Sequence, residues 1–392
     1  MPKATARIDN QSVGGLVPSE EACRRLGVKR ATLYSYVSRG LVRCVDTGGR
    51  RRLYAADDVD RLAAKSAARR GHAAVAVGAL RWGDPVLDSA ITSVEDGLRY
   101  RGQEVRALLA DGVPFEQTAE LLWEASPGEW PELEGPVAPP GPPLWRMIGA
   151  LPGLALADTP RHGGTAEVEH QRARRLVSSL AAAASGASVS GSIAASVAHG
   201  LADESHTERV NAALVACADH ELNVSTFAAR VAASSGADLY ACVGAALYAF
   251  SGPKHGAASS RLDAFVRECM TAGVDAAIAD RLARGDTLPG FHHPLYPDGD
   301  PRAAPLLARA MEGDASPERD VALSLAERVP AQTGALPNLD LALYALARSM
   351  GGGPELASAL FGVGRTAGWI AHALEQRQSE VLLRPRARYV GR

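Results

Sequence analysis

The hydrophobic positions of this chain follow two rhythms. Over the first 70 or so residues they come in short, interrupted groups. Pro18-Ser19-Glu20-Glu21 predicts a helix start with Ser19 as N-cap and acids in the first turn, after which Ala22, Cys23 and Leu26 make an apolar face. Gly27 supplies a turn, and Arg30-Ala31-Thr32-Leu33-Tyr34-Ser35-Tyr36-Val37 predicts a second short helix closed by Gly40. Leu41-Val42-Arg43 and Arg50-Arg51-Arg52-Leu53-Tyr54 flank Gly48-Gly49, which predicts two strands joined by a glycine turn, and Ala56 to Leu62 opens another helix. Ala67 to Ala74 reads as a linker. Beyond it the rhythm changes. Amphipathic stretches run to Leu122-Trp123, a proline-rich segment between Pro127 and Pro152 predicts an irregular surface connection, and from Ala166 to Phe250 apolar residues recur at helical spacing, as in buried helices.

Composition sharpens this outline. A chain of 392 residues predicts more than one domain. Hydrophobic residues make up 46% of it but aromatic ones only 5%, and the apolar weight lies on Ala, Leu and Val, which suits close-packed helices and predicts an all-α fold class. Residues 1–72 hold 15 Lys/Arg and 7 Asp/Glu, a net of +8, which leaves −10 on the other 320 residues within an overall charge of −2. The basic end is therefore the N-terminus. Cys23, Cys44, Cys217, Cys242 and Cys269 have no CxxC spacing, which points to free thiols in a reducing compartment rather than to disulfides or zinc. The opening residues lack the apolar core of a signal peptide and no run of about 18 apolar residues occurs, so a cytoplasmic protein with no membrane association is expected.

Candidate chemistry lies in the C-terminal half. His220, His255 and His293 stand among turn-forming residues that place them at helix ends, Asp340 follows Pro337-Asn338-Leu339 just before a helix, and Arg302, Arg365 and Arg384 are cations able to grip carboxylates bidentately. Such a set suits acid–base chemistry on a dianionic substrate. Singly, each has a plainer role: a helix-end histidine is more often a cap or a satisfied core group, and Asp340 alone reads as an N-cap. His292-His293 does not read as a metal site, since adjacent side chains on a turn diverge and no HxxxH spacing supports them.

The segments carry two resemblances. The order helix, glycine turn, helix, basic wing and Ala56-Asp57-Asp58-Val59-Asp60-Arg61-Leu62 resembles the winged helix-turn-helix of the MerR and excisionase type. That resemblance implies that Arg30, Thr32, Tyr34 and Ser35 enter a DNA major groove while Arg50, Arg51 and Arg52 sit on phosphates. From about residue 75 onward, Leu98-Arg99-Tyr100-Arg101-Gly102, Asp219-His220-Glu221-Leu222-Asn223-Val224-Ser225-Thr226, Gly252-Pro253-Lys254-His255-Gly256, Gly290-Phe291-His292-His293 with Asp300-Pro301-Arg302, Pro337-Asn338-Leu339-Asp340, Arg365 with Gly368-Trp369-Ile370-Ala371-His372, and Arg384-Pro385-Arg386-Ala387-Arg388-Tyr389-Val390-Gly391 each resemble, in order, a motif of the citrate synthase family.

This second resemblance implies the citrate synthase fold, with a helix-turn-helix over residues 1–70, a large helical domain over 71–256 and 347–392, and a small one over 257–346 that closes on it. Asp340 is implied to take the α-proton of an acyl-CoA, acetyl- or propionyl-CoA, while His255 hydrogen-bonds the thioester oxygen and His293 polarises the 2-oxo carbonyl. His220, Arg302 and Arg365, with Arg384 of the partner subunit in a homodimer, are implied to clamp oxaloacetate. Hydrolysis then gives citrate or 2-methylcitrate and CoA, with no further cofactor and no metal.

Three departures stand out. Pro294-Leu295-Tyr296-Pro297-Asp298-Gly299 lacks the basic residues the family carries there, which weakens a grip on CoA phosphate. His292 replaces a glycine and is expected to crowd the pocket or alter the turn, and Ala257 and Ser259 replace Gly and Asn after His255. An alternative of a different class is therefore kept: a DNA-binding transcriptional regulator whose synthase-like body senses oxaloacetate or an acyl-CoA.

Overall fold

A computed structural model describes residues 16–26, 28–38, 41–46, 52–56, 58–60, 62, 87–95, 97–133, 139–379, 381–385 and 389. The chain divides into two compact units, Met1–Asp88 with Arg384–Arg392, and Ser89–Leu383.

In the first unit, β1 (Leu16–Pro18) runs directly into α1 (Ser19–Leu26), so Ser19 is the first helical residue rather than a cap preceding it. Helix α2 (Arg30–Ser38) follows, then β2 (Cys44–Asp46) and β3 (Arg52–Ala55), in an antiparallel sheet of order β1-β3-β2. The wing thus has a third strand. It also begins later than the sequence predicts, because Leu41 N–H donates back to Tyr36 O and Val42 turns into the core, where it joins Val17, Ala22, Leu26, Leu33, Tyr54 and Val59. The predicted turn glycines Gly27, Gly40, Gly48 and Gly49, the wing residues Arg50 and Arg51, and the linker over 67–74 lie outside the described residues.

The second unit is helical apart from a small antiparallel sheet, β4 (Thr92–Ser93), β5 (Arg99–Tyr100) and β6 (Gln103–Glu104). Its helices are α3 (Val105–Ala110), α4 (Phe115–Trp123), α5 (Pro143–Ala157), α6 (Ala166–Ser185), α7 (Ile193–Leu201), α8 (Thr207–Cys217), α9 (Val224–Ser234), α10 (Leu239–Phe250), α11 (Ala258–Ala272), α12 (Val274–Arg284), α13 (Ala303–Met311), α14 (Pro317–Thr333), α15 (Leu339–Arg348) and α16 (Pro354–Gln378). Helix α5 corrects the expectation for the proline-rich segment. Pro143 occupies its first turn, where a missing N–H costs nothing, and Pro152 is carried inside it.

Helix α16 is the hub, packing on α4, α5, α6, α8, α9, α10, α11 and α15. A Cβ on its Gly368 would lie 2.4 Å from Ala218 O, so glycine is what lets the chain leaving α8 approach the hub. No helix among the described residues is long and apolar enough to cross a membrane.

Candidate active site

Three loops and one helix start build the site. The α8–α9 loop carries Asp219, His220 and Glu221, and it is pinned from two sides. Tyr100 Oη donates into the carbonyls at the end of α8 and accepts from Asp219 N–H at 3.2 Å, and Asp219 Oδ2 takes hydrogen bonds from Thr92 Oγ1 (2.5 Å) and His372 Nε2 (3.2 Å). Burial works against the Asp219 anion, yet the His372 contact and the Arg365 charge hold its pKa below the ordinary value. Glu221 sits at φ +54, a left-handed conformation seldom adopted by non-glycine residues outside constrained sites.

The loop before α13 and the start of α15 are stitched into one body. Phe291 bridges Pro337 in antiparallel fashion, Asn338 N–H donates to Gly290 O (3.0 Å), and His292 N–H donates to Leu336 O (2.9 Å). Asn338, not Asp340, caps α15, its Oδ1 accepting from Asp340 N–H at 2.9 Å and Leu341 N–H at 3.4 Å. The Asp340 carboxylate is therefore free of the capping duty the sequence alone would give it. Burial raises its pKa above the ordinary value against the lowering effect of Arg302. His292 takes φ +63 and points to solvent, so it keeps the turn a glycine would make and does not crowd the site as expected.

His220, His293, Tyr296 and Arg302 form a tight cluster. His220 Nε2 lies 2.7 Å from Tyr296 Oη, the His220 and His293 rings meet edge to face at 5.1 Å, and the Arg302 guanidinium stands 5.9 Å from the Tyr296 ring. His293 Nδ1 accepts from Leu295 N–H at 3.3 Å, which leaves the proton on Nε2. Burial, then the Arg302 charge, pushes the His293 pKa down to about 4, and burial holds His220 well below the usual histidine range, so both are neutral donors at pH 7.

His255 lies on the α10–α11 loop. Its Nε2 is 2.9 Å from Ser225 Oγ, which donates to Asn223 Oδ1 (2.8 Å) and accepts from Trp369 Nε1 (3.1 Å), and its ring packs edge-on against Phe250. Burial, then the Arg365 charge, pushes it down to about 4.

Two arginines complete the arrangement. Arg302 is 3% exposed and clasps Asp300 through Nε (2.9 Å) and Nη2 (2.7 Å); Arg365 is 1% exposed and donates from Nε to Cys217 O (2.6 Å), its guanidinium 4.6 Å from the Phe361 ring. In each, Nη1 is buried with no hydrogen-bond partner among the described residues. A buried unpaired guanidinium nitrogen is costly, and two beside three neutral histidines describe a receptor for an anion. The Arg365 charge acts on His255, His220 and Asp340, the Arg302 charge on His220, His293 and Asp340, and the His220 and His293 rings meet, so these residues of the second unit lie around the two arginines. Arg384, exposed, belongs to the first unit and is not part of this cluster within the second.

Residues 142–386 match the family described as Citrate synthase, C-terminal domain. The chain belongs to the citrate synthase family. Residues 19–67 match a helix-turn-helix domain. The chain is 36% identical over 190 residues to the citrate synthase of Haloferax volcanii, covering 47% of this chain and 50% of that protein. It is 33% identical over 200 residues to the 2-methylcitrate synthase of Shewanella oneidensis, covering 49% and 53%. The chain thus spans about half the length of the curated relatives it matches. The fold is shared with the citrate synthase of Thermoplasma acidophilum in its ternary complex with carboxymethyl coenzyme A and oxaloacetate (TM-score 0.65, 24% identity, 79% of this chain, 94% of that one). It is shared likewise with citrate synthase from Thermotoga maritima (TM-score 0.62, 25% identity, 79% and 94%).

Sequence reasoning gave no role to Ser225, which stood inside a quoted motif, nor to Tyr296 and Phe361. Each touches a site residue, but a serine or aromatic side chain does not announce that contact by its spacing. Tyr296 stood inside a loop noted only for the cations it lacks.

Proposed function

We propose that this protein condenses an acyl-CoA, acetyl- or propionyl-CoA, with oxaloacetate and hydrolyses the product thioester to citrate or 2-methylcitrate and CoA. The observation that carries this is the pair of buried Nη1 atoms on Arg302 and Arg365 without a hydrogen-bond partner among the described residues, set beside neutral His220 and His293. Oxaloacetate brings two carboxylates to them and a 2-oxo group to His293 Nε2–H.

Asp340 removes the α-proton of the acyl-CoA, and its raised pKa brings it nearer to the weak carbon acid it must serve. Turning the Ser225 hydroxyl from Asn223 Oδ1 to His255 Nε2 leaves the imidazole proton on Nδ1, where it serves the thioester oxygen, and the developing enolate is stabilised without a buried charge. The enol carbon then attacks the 2-oxo carbon. As the C–C bond forms, the enol O–H returns its proton to His255 Nδ1 and the thioester carbonyl re-forms. The 2-oxo electron pair moves onto its oxygen and takes the Nε2 proton of His293, which the proton held by Asp340 replaces by way of water. A further water cleaves the thioester to give the carboxylate, a proton and CoA as a free thiol.

A homodimer with Arg384 of the partner subunit in each site fits one further feature. Helices α6, α5, α10 and α9 pack on one another in that order and expose Val168, Trp145, Leu156, Tyr248, Val224 and Val231, with Leu156 at 76% and Tyr248 at 61% exposure, an apolar surface that a second copy would cover. In the N-terminal unit, the exposed Tyr34 on α2 with the Arg52 guanidinium 6.0 Å from its ring offers an aromatic and cationic edge to DNA, which supports the second reading, a DNA-binding regulator. Thiol release from acetyl- or propionyl-CoA that depends on oxaloacetate tests the first reading. Oxaloacetate binding without turnover, together with salt-dependent duplex binding, would favour the second.

A further inference from the structure

We propose that Arg209 and Arg309 are positioning residues: they fasten the far end of α13 to α8 and α3, and so set where Arg302 and Asp340 stand opposite His220. This rests on the reading of the site as a condensing centre that binds oxaloacetate. Arg302 is the N-cap residue of α13 and Asp340 lies in the first turn of α15, so both reach the site from helix starts. The two helices are tied together at each end. At the site, Asp300 clasps Arg302, and its Oδ2 also accepts from Leu339 N–H at 3.1 Å. At the other end, Asp314 N–H donates to Ser349 O at 2.9 Å, and a Cβ on Gly313 would lie 2.6 Å from Ser349 Cβ. Helices α13 and α15 therefore run side by side in the same direction and move as one rod.

Cations hold the far end of that rod. The last carbonyls of a helix have no partner within it. Arg209, in the first turn of α8, donates from Nε to Arg309 O (3.2 Å) and from Nη2 to Glu312 O (2.9 Å). Its Nη1 lies 3.2 Å from His206 Nδ1, which steadies the side chain, and His206 Nε2 is 3.6 Å from Asp314 Oδ2. Arg309 reaches the other way, its Nη2 donating to Leu109 O at the end of α3 at 2.6 Å. Apolar packing does less here, because a cavity of about 430 Å³ opens beside Arg309, lined also by Leu109, Thr207, Asn211 and Val215. Helix α8 ends just before the loop that carries His220, so these polar bridges relate one wall of the site to the other. A nine-residue helix such as α13 spans about 13 Å, and a tilt of about 10° at its far end would shift Arg302 by about 2 Å. A displacement of about 1 Å can cost on the order of 10²-fold in rate.

The test is a double-mutant cycle on the full chain, read by calorimetry of oxaloacetate and by thiol release from acetyl-CoA or propionyl-CoA. Arg209→Ala should weaken oxaloacetate about fivefold and lower kcat roughly tenfold, with Arg309→Gln acting in the same direction and Arg209→Lys recovering most of both effects. Because Arg209 acts through Arg302, the double variant Arg209→Ala, Arg302→Gln should bind oxaloacetate no more weakly than Arg302→Gln alone. Arg309→Gln enters the same cycle should Arg209→Ala not fold. Arg281→Gln breaks an ion pair between α12 and α11, away from these bridges, and should leave both constants in place. Fully additive losses, or lower thermal stability with kcat and oxaloacetate affinity unchanged, would overturn the assignment while leaving the condensation reading intact. Non-additive losses in oxaloacetate binding by a protein that releases no thiol would support the assignment and overturn the reaction. Failure of the wild type to bind oxaloacetate at all would overturn both.

Discussion

Arginines of the second unit's site and of the N-terminal helix-turn-helix meet opposite surroundings. Arg302 and Arg365 are buried almost completely, and each keeps one nitrogen without a hydrogen-bond partner among the described residues. In the head, Arg24 and Arg25 pair with Glu21, Arg25 also with Asp60, Arg30 with Glu20 at 3.0 Å, and Arg43 with Asp58 at 2.7 Å. A net of +8 over residues 1–72 therefore overstates the positive charge the head offers a phosphate backbone, while in the acidic body Arg365 has no carboxylate partner among the described residues and Arg302, though paired with Asp300, keeps Nη1 open. Charge counted along a sequence and charge available at a surface are different quantities, and pairing separates them.

The strongest way to break this contrast acts on the base rather than the cations. Asp340→Asn should lower kcat by about 10²–10⁴-fold and leave oxaloacetate affinity within a few-fold, since the arginines and His220 remain. Calorimetry that finds oxaloacetate binding lost as well would show that Asp340 does not act as a base alone. Next in size, Arg302→Gln or Arg365→Gln should weaken oxaloacetate roughly 10- to 100-fold, as expected for removal of a buried charged hydrogen-bond donor. A loss of thermal stability with oxaloacetate affinity unchanged would make these arginines structural.

The dimer proposal predicts complementation. Mixing an Arg384→Ala chain with an inactive His255→Ala chain should restore activity to roughly a quarter of the sites after random exchange, since one site of each hybrid receives both intact groups. No recovery after verified exchange would remove Arg384 from the site.

In the head, replacing Arg50, Arg51 and Arg52 by Ala should flatten the salt dependence of duplex binding by up to about 3 in log–log slope. Glu20→Gln, which frees Arg30 from its carboxylate, should strengthen binding. Absence of duplex binding at about 50 mM salt would mark the head as a docking or oligomerisation element. Deleting residues 1–70 should leave the condensation rate nearly unchanged.

The smallest effect concerns pH. His255 and His293 are each pushed to about 4 in the fold, so the unfolded chain takes up protons that the folded chain refuses. Their contribution to stability is full above the unfolded histidine pKa of about 6.5 and is lost as pH falls from there toward 4. Denaturant midpoints should decline over that window and decline less in a His255→Gln, His293→Gln double variant.

Much of this was legible in the sequence. Ordered motifs and breakers placed His220 and His255 beside helix ends, whereas His293 lies in the middle of the long loop between α12 and α13, and the Ala-rich periodicity from Ala166 to Phe250 marked buried helices. What escaped depends on three-dimensional pairing. Asp340 reads as a cap until Asn338 is seen to take that role, because both residue types cap helices and only side-chain direction distinguishes them. Pro152 reads as a breaker, yet the helix that begins at Pro143 carries through it. Tyr296, which touches His220 and packs against His293, lies in a loop whose sequence announces only missing cations. The neutralisation of the head's arginines joins residues as distant as Arg25 and Asp60, beyond the reach of local patterns.

The central claim is that the unit holding Arg302, Arg365 and Asp340 performs carbon–carbon bond formation. Free thiol release by the full-length chain from acetyl-CoA or propionyl-CoA, followed with and without oxaloacetate and repeated with Asp340→Asn, tests it most directly. The account predicts release that requires oxaloacetate and is nearly abolished in the variant. Thiol release indifferent to oxaloacetate, or none from a wild type that binds oxaloacetate by calorimetry, would contradict it.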